Sequence, residues 1–247
     1  MLKGFWKLTW VETKVFVREP MGFVGTIGVP VLLFLGLGRI LRAGGTNLAQ
    51  GAAMPFNVAI LAALFIALGS VQSLVAIIAI YREGGILKRL RATPLSPVTI
   101  LAAQVAVKLA FALLSLALLV LAGKRVFPGV MQVNLVSFAA AVLLSTLSIL
   151  SLGFVLASLV PTARFAQPIG AVVLYPMLAL SGLFFPLDRL PRALQIVALG
   201  LPTTHAVALM QGIWDGSGWG AHWLNAVALI LLGAVFTGLS TKVFRWE

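Results

Sequence analysis

Residues Phe56 to Ile80 read FNVAILAALFIALGSVQSLVAIIAI, and the first charge, Arg82, arrives only after Tyr81. A helix needs about 20 predominantly apolar residues to cross the hydrocarbon of a bilayer. Inside hydrocarbon every backbone N–H and C=O must be satisfied within the chain, so a run of this kind reads as a transmembrane helix. Working outward, five more such runs follow from the sequence: Met21–Leu41, Pro97–Ala122, Asn134–Val160, Phe165–Leu187 and His222–Phe244. The fourth and fifth of the six are parted only by Pro161-Thr162-Ala163-Arg164, a tight hairpin. Over the 247 residues, 61% are hydrophobic and 10% charged, whereas soluble domains carry about 45–50% and about 25%. The expectation is an all-α integral membrane protein with six transmembrane helices. No cleavable signal is evident, because mixed polar and apolar residues precede the first run and no small-residue cleavage pattern closes it.

The net charge of +12 comes from 18 Lys and Arg against 6 Asp and Glu. A basic chain can bind nucleic acid, but that requires a soluble basic face. Here the cations sit between the apolar runs, so no nucleic-acid partner is expected. With the N-terminus inside, the inner segments hold Lys3, Lys7, Lys14, Arg18, Arg82, Lys88, Arg89, Arg91, Arg164, Lys242 and Arg245. The outer ones hold Arg39, Arg42, Lys124, Arg125, Arg189 and Arg192, with Lys108 left inside a span. The excess of cations on one side places both termini in the cytoplasm of a multi-pass plasma-membrane protein. Cys is absent, which removes disulfides, thiolate nucleophiles and iron–sulfur ligation. Six carboxylates and two His leave little material for catalytic or metal-binding clusters, and none is assigned.

Three segments outside the spans have patterns of their own. In residues 1–19, Lys3, Lys7, Lys14 and Arg18 project within an arc of about 60°, with Leu2, Phe5, Trp6 and Phe16 roughly opposite. That suits an interfacial helix, cations toward headgroups and aromatics in the acyl boundary, ended by Pro20; a plain membrane anchor is the simpler alternative. In the loop Tyr81–Pro97, Ile86, Leu87 and Leu90 share an arc of about 100°, with Lys88, Arg89 and Arg91 outside it. This is either a short amphipathic peg for a groove on a soluble partner or a solvated basic loop that only sets topology. Residues 188–221 are too apolar for an ordinary outer loop. Leu190–Leu199 and His205–Trp214, broken at Gly200-Leu201-Pro202 and capped by Thr203 or Thr204, read as two short helices dipping back into the outer leaflet.

Two of these segments carry a resemblance. Arg82, Glu83, Gly85, Leu87, Leu90, Ala92, Thr93, Pro94, Leu95 and Ser96 match a loop signature, roughly E-R-E-x-G-T-L-E-x-L-x-A-T-P-L-S, of the type-2 ATP-binding-cassette (ABC) exporter permeases. Ser181-Gly182-Leu183-Phe184-Phe185-Pro186, Leu190-Pro191 and Leu201-Pro202-Thr203-Thr204-His205 resemble the segment that closes the same family. Tyr81, Ile86 and Lys88 depart from the signature, where an acid, Thr and Glu are common, and leave the loop more basic.

The resemblance implies one transmembrane domain over residues 1–247, with 1–19 as the connecting helix, 82–94 as the coupling-helix loop and 188–214 as the re-entrant hairpin. Glu83, Gly85, Leu87, Arg89, Leu90, Arg91, Thr93 and Pro94 would couple to a cytoplasmic ATPase, with Glu83 near the start of the loop helix. Spans two and five would face the pathway at a dimer axis, which points to Phe65, Gln72, Tyr175 and Leu178 as substrate contacts. Lys108 joins them if it meets an anionic substrate group or a partner carbonyl; otherwise it snorkels to the inner interface. Gln104, Lys108 and Ser115 share one stripe of span three, and no acid lies in a span to pair with Lys108. Gln72, Ser73, Ser145, Ser148 and Ser151 fit helix-packing roles, and His205 a supporting role in the hairpin.

No G-x-x-x-x-G-K-[ST] loop occurs, so ATP and Mg would be bound by a partner and the chain would not be an enzyme. The leading expectation is the permease subunit of an ATP-driven exporter in a bacterial or archaeal plasma membrane. It would work with two ABC ATPase subunits, a second permease copy or a homologous permease, and surrounding membrane lipids. Its cargo would be lipophilic or amphiphilic: a drug, a natural product or a lipid. Export of a lipid-linked polysaccharide is the alternative, although the spans hold few Trp or Tyr for sugar stacking. A membrane-embedded lipid-modifying enzyme and an ion-gradient carrier are the readings from other classes.

Overall fold

The computed structural model describes residues 2–18, 20–43, 57–86, 97–126, 134–160 and 162–243, and the regular elements among them are all helical. Helix α1 is Leu2–Arg18; α2, Pro20–Phe23, runs through a π-helical turn, Val24–Gly28, into α3, Val29–Ala43. Then come α4 Val58–Glu83, α5 Pro97–Val126, α6 Leu135–Leu159, α7 Ala163–Ala179, α8 Arg192–Leu199, α9 Pro202–Trp214, α10 Gly218–Ala221 and α11 Trp223–Val243.

Local chemistry sets several of these boundaries. The Asn57 Oδ1 accepts the N–H groups of Ala59 and Ile60 at 2.9 and 3.4 Å, and the Asn134 Oδ1 accepts those of Val136 and Ser137, both at 3.1 Å. Each asparagine thereby satisfies two of the four orphan donors at a helix start. Helix α4 stops at Gly84, and Gly85 takes φ +65°, a conformation that L side chains rarely adopt.

Among the described residues, four helices are long and apolar enough to cross a membrane: Ala59–Glu83, Thr99–Arg125, Leu135–Leu159 and Trp223–Lys242. The pair Arg192–Leu199 and Pro202–Trp214, bent by 81°, would make a fifth if counted as one broken span. The expected count of six is not confirmed among the described residues. The first expected run forms the shorter apolar helix Val24–Ile40. The fifth forms α7, 17 residues long, and leaves helical geometry after Ala179 because Gly182 turns at φ +83° and Pro186 follows.

Helix α4 forms the centre of the bundle and is mostly buried, whereas α11 is mostly exposed. It packs against α6, α7, α3, the π-helical turn and α5, while α11 leans on α6 and α9. Both helices are apolar all round, a pattern that in the first means burial. In α11, exposed Trp223, Leu224, Ile230, Leu231 and Val235 present a surface suited to lipid rather than water. Ser148 on α6 donates to the Leu229 carbonyl of α11 at 2.8 Å, an interhelical bond of the packing kind expected for the span serines.

The N-terminal helix differs from a simple two-faced interfacial helix. Trp6, Lys7, Trp10, Lys14 and Arg18 are exposed, but Glu12 and Phe16, one turn apart, turn inward against α5. Phe16 stacks on Phe111 with ring centroids 4.4 Å apart and meets Phe23 at 6.4 Å. Phe16 thus belongs to the bundle and not to the acyl boundary, because an apolar pocket on α5 and α2 receives it.

Candidate functional site

A cleft of about 290 Å³ opens between the π-helical turn, α4 and α7. On α4 it is bordered by Phe65, Leu68, Gln72 and Ser73, and on α7 by Gln167, Ala171, Leu174 and Tyr175, residues three or four apart that share one helix face. Most of this wall is apolar. Its polar part is Ser73 and an amide pair: the Gln72 Nε2 donates to the Gln167 Oε1 at 2.7 Å and to the Gln167 carbonyl at 3.1 Å. Gly170 makes the close approach possible, since a Cβ there would overlap the Gln72 side chain.

The sequence-predicted path residues divide around this cleft. Phe65, Gln72 and Tyr175 line it. Leu178, next to Met177, is buried in the helical core instead, and Lys108 is absent from the lining.

Lys108 does not snorkel: it is only 1% exposed. Its Nζ donates to the Ser73 Oγ at 2.6 Å and lies 4.1 Å from the Phe16 ring centroid. A cation within about 6 Å of an aromatic face is attracted by the ring quadrupole. The acid that no span supplies comes from α1: Glu12 is 3% exposed, interacts electrostatically with Lys108 and accepts the Tyr81 hydroxyl at 2.8 Å. Burial pushes the Glu12 carboxyl above the usual carboxylate range, while the hydrogen bond from Tyr81, the nearby Gln104 amide and the charge of Lys108 pull it back in part. Gln104 stands beside Glu12, its buried amide nitrogen short of hydrogen-bond geometry to any described group. Sequence reasoning noted Tyr81 only as a departure from the loop signature and did not single out Glu12. The readable signal was a lone acid one turn before Phe16 on the inward face of α1.

At the loop, Glu83 is exposed and is the last residue of α4, so it sits at the C-terminal end of that helix. Leu87, Arg89, Leu90, Arg91, Thr93 and Pro94 lie outside the described residues. The root of the loop is anchored by Arg82, whose guanidinium donates to the Val160 and Ala157 carbonyls at 2.7 and 3.0 Å. Those carbonyls end α6, where the helix leaves acceptors unsatisfied and favours a cation.

At the far end of α7, the Thr203 Oγ1 donates to the Met177 carbonyl at 3.0 Å and the Thr204 Oγ1 to the Leu180 carbonyl at 3.4 Å. Neither threonine caps α9, as the sequence suggested, because Pro202 already occupies its first turn and Leu201 the cap. Their hydroxyls bind the carbonyls freed where α7 ends. The two His205 ring nitrogens lie 3.0 Å from the Asn225 Oδ1 and 3.0 Å from the Leu199 carbonyl, which ties the bent pair to α11.

Residues 3–214 match the family described as ABC-2 type transporter. The inner membrane transport permease YhhJ of Escherichia coli K12 is 28% identical over 166 residues, 66% of this chain and 44% of that protein. Nodulation protein J of Rhizobium leguminosarum bv. viciae is 40% identical over 65 residues, 26% of this chain and 25% of that protein. Nodulation protein J of Rhizobium meliloti strain 1021 is 32% identical over 113 residues, 46% of this chain and 43% of that protein. The chain spans less than half the length of the curated relatives it matches.

Proposed function

The chain belongs to the ABC-2 type transporter family, and from that premise we propose that it is the membrane permease of an ATP-driven exporter for lipophilic or amphiphilic cargo. It works in a plasma membrane with both termini cytoplasmic. ATP and Mg are bound by two copies of a separate cytoplasmic ABC ATPase, and a second permease, identical or related, completes the path.

The observation that carries this reading is the cleft on α4 and α7, because α4 also ends in the loop that meets the ATPase. About 16 Å of helix separate Gln72 from Glu83 at about 1.5 Å per residue. A tilt delivered at the loop therefore reaches the cleft through one rigid rod. Arg82 joins the end of α6 to that rod, so α4 and α6 move together. Closure of the ATPases on ATP then rocks the helices as rigid bodies and opens the cleft to the other side. The mostly apolar wall binds hydrocarbon by removing it from water, worth about 25 cal/mol per Å².

Co-expression with ABC ATPase subunits of the same genome, followed by reconstitution into vesicles, tests the proposal. Co-purification and ATP-dependent movement of a lipophilic dye are the expected results. Dye movement by the chain alone without ATP, or failure to associate with any such ATPase, would overturn it.

A further inference from the structure

We propose that the cleft between the π-helical turn, α4 and α7 selects amphiphiles with an anionic headgroup, which the Ser73 hydroxyl receives with Lys108 as the cation behind it. This rests on the permease reading and names the class of its cargo.

The hydrogen-bond inventory of Ser73 leads there. A serine hydroxyl has one proton to donate and two lone pairs. Ser73 uses a lone pair to accept from the Lys108 Nζ at 2.6 Å. Two other span serines return their protons to the carbonyl four residues back, Ser70 to Ile66 at 2.8 Å and Ser158 to Phe154 at 2.8 Å, whereas Ser115 and Ser145 find no partner among the described residues. Among the described residues the Ser73 proton has no such acceptor, and Ser73 lines the cleft. An ammonium group bound to the oxygen of a hydroxyl polarises it, which strengthens the bond its proton can give. Ser73 is therefore a cation-backed donor at the wall of an apolar cleft.

Of the neighbouring amides, the Gln72 Oε1 acceptor is buried against Gly170 without a partner among the described residues, and the donors of Gln167 remain. The Gln167 Oε1 is occupied by the Gln72 Nε2 at 2.7 Å, which leaves the exposed Gln167 amide protons for a ligand. Among the described residues no carboxylate lines the cleft; Glu12, the acid that interacts with Lys108, reaches it from α1. A wall with donors, a cation behind it and no acid favours acceptor-rich anions such as carboxylates and phosphates. It opposes ammonium groups, which would leave those donors unpaired. Phe65, Leu68 and Leu174 supply the surface for the first part of a hydrocarbon tail. About 290 Å³ is at the small end of ligand pockets, so the cleft holds a headgroup and the head of one chain.

Binding of cis-parinaric acid, a fluorescent fatty acid, to the full chain in phosphatidylcholine nanodiscs measures this without any ATPase. Dodecanoate should displace the probe at a concentration at least tenfold below dodecan-1-ol, dodecylammonium should be weaker than the alcohol, and inorganic phosphate should displace none. Ser73→Ala should bring dodecanoate to within threefold of dodecanol, and an unchanged melting curve shows that the fold is intact. Lys108→Met should do the same, checked by its melting curve; Ser73→Ala decides if that variant does not fold. Displacement by phosphatidylglycerol as well as dodecanoate assigns a bilayer lipid, and by dodecanoate alone a single-chain amphiphile; both support the headgroup chemistry. Equal displacement by dodecanol and dodecanoate, or an anion preference that survives Ser73→Ala, overturns it. Dye export by the ATPase complex is read separately, so the failure of one reading is not the failure of the other.

Discussion

Removing Glu12 or Lys108, two buried groups that interact electrostatically, should cost more one at a time than together. Glu12 and Lys108 are 3% and 1% exposed, so neither charge is relieved by water. Deleting one partner of a buried pair costs about 3–5 kcal/mol, whereas replacing both with apolar groups of similar size is often neutral. In Glu12→Leu, Lys108 retains the Ser73 oxygen and the Phe16 ring, and a desolvated cation–π contact offsets about 2 kcal/mol. In Lys108→Leu, Glu12 retains the Tyr81 hydroxyl, a hydrogen bond to a charged group worth about 1.5–3 kcal/mol. Each single variant should therefore lose about 2 kcal/mol net, and the double variant about 1 kcal/mol. Reversible unfolding of the four proteins in one detergent, fitted as a double-mutant cycle, should give a coupling of about 2–3 kcal/mol. Additive costs within about 0.5 kcal/mol would refute the pair as an energetic unit.

Other expectations follow from single contacts. Because burial raises the Glu12 carboxyl above its ordinary value of 4.5, the native state binds its proton more tightly than the unfolded chain. Its contribution is thus full below that value and lost as pH rises toward the native one; melting of wild type against Glu12→Gln across this range should show the difference. Gly170→Ala drives a Cβ into the Gln72 side chain and should cost about 1–3 kcal/mol by thermal unfolding, with much of the loss restored by Gln72→Ala. Arg82→Ala removes two bonds to the end of α6, about 1.5–3 kcal/mol for bonds from a charged donor. It should lower ATP-dependent dye transport in reconstituted vesicles more than it lowers ATPase association.

The main helices were legible in the sequence because the rule behind them is local. An uncharged run such as Phe56–Ile80 has to satisfy its own backbone wherever it sits in hydrocarbon, and asparagines at 57 and 134 offer side-chain acceptors at the helix starts. Phe65, Gln72 and Tyr175 were reachable from the family resemblance, which assigns spans two and five to the path. Run length does not fix where a helix ends, because it counts apolar residues and does not see the glycine turn at Gly182 after α7. The fate of Lys108 was beyond the sequence altogether. A lysine in a span either reaches for the interface or finds a partner, and its neighbours decide. Here Ser73 lies 35 positions away, and Glu12 meets Tyr81 across 69. Only the packing of α1 against α5 brings that acid inside, where low polarity makes an uncompensated charge too costly to leave unpaired.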